Sequence, residues 1–101
     1  MRMLMHASFP HPKFNAAVRD GSAGTKMKRI LETLKPEAAY FTEIDGRRTA
    51  ILIVDVAEPS HIPTFAEPFF LLFDADVHFH PVMLPQDLAQ AGLDALGKAW
   101  S

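Results

Sequence analysis

Cysteine is absent from this 101-residue chain, which removes a disulfide framework, a thiolate metal site and a cysteine nucleophile together. A reducing compartment is thereby permitted. Long apolar runs are missing as well: Met1-Arg2-Met3-Leu4-Met5 is interrupted by His6, too early for a signal-peptide core or a membrane span. A soluble, cytoplasmic domain without a membrane partner is the expectation. Positive charge is not in excess, since ten Lys and Arg stand against twelve Asp and Glu, for a net charge of -2. Phosphate binding needs a basic face, so nucleic acid is not an expected partner. The HExxH, GxSxG, GxGxxG and N-glycosylation patterns do not occur, and no internal repeat or low-complexity tract is present.

What remains is an ordinary globular balance of 49% apolar and 22% charged residues, enough for one core and a single domain over residues 1–101. Met3 to Phe9 reads as a first strand that leaves through Pro10-His11-Pro12. Phe14, Ala17, Gly21, Gly24, Met27, Leu31 and Leu34 recur at helical steps, with a break expected around Gly21 and Gly24 and a stop at Pro36. Gly21-Ser22-Ala23-Gly24-Thr25-Lys26 lacks the Walker spacing and does not follow a strand directly, so it reads as that break, with Ser22 or Thr25 as a helix cap.

Ala38–Glu43 and Arg48–Val56 are strand-like and flank Ile44-Asp45-Gly46-Arg47, the signal for a type I′ hairpin. Pairing Ile44 with Arg47 places Thr42 opposite Thr49, Tyr40 opposite Ile51 and Ala38 opposite Ile53 on one face; the other face receives Glu43 with Arg48, Phe41 with Ala50, and Ala39 with Leu52. Ser60 is the expected cap of a second helix ending near Phe73, with Pro63 in its first turn and a bend at Pro68. Val77–Met83 is the fourth strand. A last helix is expected from Pro85, with Leu88, Gly92, Leu93, Leu96 and Trp100 on one side.

The order β-α-β-β-α-β followed by a helix defines an α+β, ferredoxin-like four-stranded antiparallel sheet with a carboxy-terminal helix. Ala50-Ile51-Leu52-Ile53-Val54 is apolar throughout, which gives the sheet hydrophobic groups on both faces. Right-handed crossovers put both helices on one of them. Ile51, Ile53, Tyr40 and Leu4 are left on the other, and each side chain of this kind gains roughly 1.5 to 3 kcal/mol when buried. A second sheet in a twofold pair, or the last helix, is required to cover them.

The stretch Leu34-Lys35-Pro36-Glu37-Ala38-Ala39-Tyr40-Phe41 leading into Asp45-Gly46, with Ala75-Asp76-Val77 and Pro81-Val82-Met83 around the last strand, resembles a small uncharacterised bacterial family of dimeric α+β barrels. In layout, over nearly the whole chain, it is also similar to muconolactone isomerase and the cofactor-independent antibiotic-biosynthesis monooxygenases. The resemblance implies a homodimeric barrel of two facing sheets around a semi-apolar lumen. It implies no cofactor and transfers no catalytic residue.

Histidine supplies the candidate chemistry. His78 and His80 lie two apart in a strand and share a face, with Val77 and Phe79 turned to the helices. His6 on the neighbouring first strand can join them, giving either an imidazole metal site or a polar group for ligand binding or proton transfer, or plain packing at an interface. Asp55 follows Ile51 and Ile53 on their face. With the first and third strands taken as parallel and suitably aligned, it would orient His6 for acid-base catalysis; otherwise it caps a strand end before Pro59. Asp74-Ala75-Asp76 reads as a solvated strand start rather than a cation site. The leading expectation is a structural or small-molecule-binding homodimer, its partly apolar ligand held near Tyr40, Ile51, Ile53, His78 and His80. The alternatives are an isomerase or monooxygenase-like enzyme using His6 and Asp55, and a histidine metal site.

Overall fold

In the computed structural model, which describes residues 1–101, the elements run β1 (Arg2–Ser8), α1 (His11–Arg19), α2 (Ala23–Leu34), β2 (Ala38–Ile44), β3 (Arg47–Asp55), α3 (Ile62–Phe73), β4 (Asp76–Pro81), α4 (Pro85–Ala89) and α5 (Leu93–Ala99). The chain is α+β, with one open, antiparallel four-stranded sheet in the order β2-β3-β1-β4. No helix is long and apolar enough to cross a membrane.

The hairpin follows from two residues. Asp45 and Gly46 both take positive φ, 55° and 78°, the pair of left-handed conformations that a type I′ turn demands and that glycine adopts without steric cost. The register is the one this turn imposes: Ile44 pairs with Arg47, Thr42 with Thr49, Tyr40 with Ile51 and Ala38 with Ile53. The reading of β1 and β3 as parallel is corrected. They are antiparallel, with Leu4 opposite Ile53 and His6 opposite Ile51, because a crossover makes β1 and β2 point the same way while the hairpin turns β3 against both.

The two amino-terminal helices separate at Gly21, whose φ of 83° lies outside helical geometry; Gly24 falls inside α2. Ser22 occupies the cap position as expected, but its side chain caps nothing. Instead its backbone N–H donates to Asp20 Oδ1 at 2.8 Å. Hydrogen bonding from Ser22 holds the Asp20 carboxyl below its ordinary pKa, because a donor aimed at the carboxylate favours the charged form. Ser60 is likewise not the cap of α3. It lies in a short 3-10 turn, Pro59–His61, and bonds to Glu58, while α3 begins at Ile62 with Pro63 in its first turn.

Alternation along the strands sends Met5, Ala7, Ala50, Leu52 and Val54 to the helix side, where they are buried with Ile30, Leu34, Phe69 and Phe73. Phe9, Phe14 and Phe73 pack ring to ring with centroids 4.9–5.2 Å apart, within the range aromatic pairs prefer. Arg48 closes the end of this cluster, its guanidinium 4.7 Å from the Phe14 centroid and bonded to Asn15 Oδ1 at 2.8 Å.

Beyond β4 the expected single helix is two short ones, parted at Gly92 with φ 74°. They do not cover the bare sheet face. The chain extends 59 Å in its longest direction, with a radius of gyration of 17.1 Å, against about 13 Å for a compact domain of this length.

Candidate functional site

The side of the sheet without helices is built in rows. Pairing across β2, β3, β1 and β4 aligns Ala38, Ile53, Leu4 and His80 in one row, Tyr40, Ile51, His6 and His78 in the next, and Thr42, Thr49, Ser8 and Asp76 in a third. The expected site residues Tyr40, Ile51, Ile53, His6, His78 and His80 therefore share one face. Its middle is apolar and its β4 edge is imidazole. The rings of His6 and His78 lie edge to face with centroids 6.0 Å apart. Tyr40 is 64% exposed, and His78 and His80 are exposed, whereas Leu4, His6, Ile51 and Ile53 are half-buried by their neighbours in the sheet.

Asp55 shares this face but does not meet His6. It stands opposite Arg2, while His6 stands opposite Ile51; four residues of strand amount to about 13 Å. The carboxylate is engaged elsewhere, accepting from the Met1 amine at 2.9 Å. The catalytic pairing of His6 with Asp55 is thus not assembled, because antiparallel register carries the acid to the far end of β1. Nor does any group of three or more histidine, aspartate or glutamate side chains converge in a way that could hold a metal ion. His6 and His78 are neighbours, but His80 sits a row further along, beside Leu4.

Ion pairs close both ends of the face. At one end Arg2 grips Glu37 with Nε and Nη2, the shortest contact being 2.7 Å; hydrogen bonding to Glu37, then its negative charge, raises the Arg2 pKa further. At the other end Arg47 reaches from β3 across β1 to Asp76, 3.7 Å away. Thr49, two residues on from Arg47 on the same face, is only 1% exposed and donates its hydroxyl to the Arg47 backbone oxygen at 3.1 Å. Reading the sequence did not single out these pairs. The signal was available, since Arg2 falls two residues before Leu4, Arg47 four before Ile51, and Asp76 two before His78, all in phase with the bare face.

The two main hollows lie elsewhere. A groove of about 440 Å³ opens between α2 and α3, with Arg29, Thr33, Pro63, Glu67, Pro68 and Leu71 among its walls. A second, of about 400 Å³, lies by the Arg2–Glu37 pair at the end of the bare face, which it touches at Arg2, Ile53 and Asp55. Neither includes a histidine or Tyr40. Within one chain the histidine face is an open surface, and enclosing a ligand there needs a second layer.

The fold and this face define the class: an α+β domain whose antiparallel sheet is clothed on one side and bare, apolar and histidine-edged on the other. No protein-family model matches the chain, and no curated protein matches it.

Proposed function

We propose that the chain acts as a homodimer in which two bare sheet faces close into a ferredoxin-like α+β barrel and enclose a site for a small, partly apolar molecule. The observation that carries this reading is the row structure of the bare face. Leu4, Ile51 and Ile53 form an apolar floor, imidazoles lie along one side, Tyr40 stands on the other, and charged pairs mark the two ends. A floor with a few converging polar groups is what small-molecule sites share. The strand order and the likeness in layout to dimeric α+β barrels support the same arrangement, and a cytoplasmic setting suits a chain without cysteine.

His6, His78 and His80 would supply hydrogen-bond donors and acceptors, with Tyr40 adding a phenol. With Asp55 held about 13 Å along the face from His6, any proton transfer would fall to His6 with His78 as its neighbour. Sedimentation velocity from low to high micromolar concentration tests assembly, with a reversible dimer expected; a monomer throughout would overturn the reading. Titration of the dimer with anilinonaphthalene sulfonate tests the site. Saturable binding to the dimer is expected, and a proven dimer that never binds the dye would leave a purely structural pairing.

A further inference from the structure

Pairing of sheets alone leaves the carboxy-terminal segment unexplained. From Pro85 onward every residue is exposed, and the apolar stripe of α4 and α5 faces water, with Leu93 56% and Trp100 87% exposed. Helices of five and seven residues do not hold by themselves, since isolated helices shorter than about 12–15 residues are marginal in water. The segment needs a surface to pack on, and its own domain provides none.

We infer that residues 82–101 form an arm exchanged between subunits, each arm laying Leu88, Leu93, Leu96 and Trp100 along the β2 edge of a second copy of the chain. The inference rests on the dimer proposed above. Area is the first argument. Four strands about 4.8 Å apart, each contributing about six residues of about 3.3 Å, give the bare face a footprint of roughly 400 Å². A stable interface takes about 800 Å² from each partner. Even with the added relief of its side chains the sheet face makes a small interface, and the arm, which continues directly from β4, is the adjoining apolar surface that enlarges it.

Symmetry is the second. When the twofold axis runs along the strands, left and right exchange, so β4 of one copy lies opposite β2 of the other. β2 is an edge strand with apolar groups exposed on both its faces: Tyr40 at 64% on the bare side and Phe41 at 54% on the helix side. Left alone, such an edge invites pairing with other chains. The left-handed elbow at Gly92, φ 74°, lets an arm from β4 turn around that edge and cover both faces. On its own chain the arm starts three strand positions away from β2, and could reach it only by crossing the bare face that the dimer uses.

The lack of native cysteine makes disulfide trapping unambiguous. Two single variants, Phe41→Cys and Leu96→Cys, both at exposed positions, are mixed and oxidised; a mixed disulfide between the two chains is the expected product. The sole tryptophan gives a second readout in the unmodified protein, with Trp100 emission moving to the blue as concentration rises through the dimerisation range. A Phe41→Cys/Leu96→Cys double variant that closes a disulfide within one chain would overturn exchange. So would a wild-type dimer that traps no mixed disulfide and keeps Trp100 emission red, which leaves the dimer itself standing. A monomer at every concentration would remove both.

Discussion

The two faces of the sheet are made from the same strands, yet they solve different problems. On the helix side Met5, Ala7, Ala50 and Leu52 are completely buried and Val54 nearly so, packed with Ile30, Leu34, Phe69 and Phe73 of the same chain. On the other side Leu4, Ile51 and Ile53 are only half-buried, and charged pairs appear at the ends of the face rather than in its middle. The first face sets whether the chain folds. The second, on the proposed reading, sets what the folded chain meets.

The contrast is sharpest between adjacent residues of β3. Leu52→Ala removes side-chain packing that nothing can replace and should lower stability by about 2–5 kcal/mol, seen in urea denaturation at every protein concentration. Ile51→Lys should act mainly on assembly. Ile51 is already half-buried in one chain, so a twofold dimer loses about 0.75–1.5 kcal/mol at each of two isoleucines and has to bury two like charges instead, and its dissociation constant should rise at least about 10-fold. Sedimentation and denaturation run on both variants separate the two effects. If Ile51→Lys destabilises the monomer as much as Leu52→Ala and leaves association unchanged, the distinction between the faces collapses.

A smaller effect is expected at the end of the bare face. Asp76→Asn removes the acid that Arg47 reaches at 3.7 Å. Both partners are substantially exposed, so the loss should be about 0–1 kcal/mol, present at low ionic strength and gone at high salt. Thermal melts at two salt concentrations check it. A loss that persists in high salt would mean that the contact acts through packing or hydrogen bonding and not through charge.

How much of this was legible in the sequence depends on the range of the interaction. The Asp45-Gly46 turn is local, and it carried the whole β2–β3 register, including the face on which Tyr40 and Ile51 meet. The β1–β3 relation is not local. Taking those strands as parallel brought Asp55 within reach of His6, whereas composing the β1-to-β2 crossover with the hairpin would have shown that β3 opposes β1. Ser60 has a capping side chain, but Pro59 starts a 3-10 turn in front of it and shifts the helix start to Ile62. For the tail, periodicity revealed an apolar stripe through Leu88, Leu93, Leu96 and Trp100. It could not reveal that Gly92 would split the helix, nor which surface the stripe would find, because a period describes one face of a helix and says nothing of its neighbour.

The helix-covered side also contains the mildest test, at the junction of α1 and α2. Asp20 accepts the Ser22 N–H at 2.8 Å and its pKa is lowered, so the folded state favours the ionised carboxyl more than the unfolded chain does. The sign follows. Its contribution is fully present above the unfolded value of about 3.9 and fades as pH falls through the lower folded value. Asp20→Asn should therefore cost a little stability near neutral pH, and the gap between wild type and variant should narrow only below about pH 4. Because Asp20 is exposed and far from the bare face, the same variant should leave sedimentation unchanged. A change in assembly would mean that the helix layer and the interface are coupled through the sheet, and that the two faces cannot be perturbed separately.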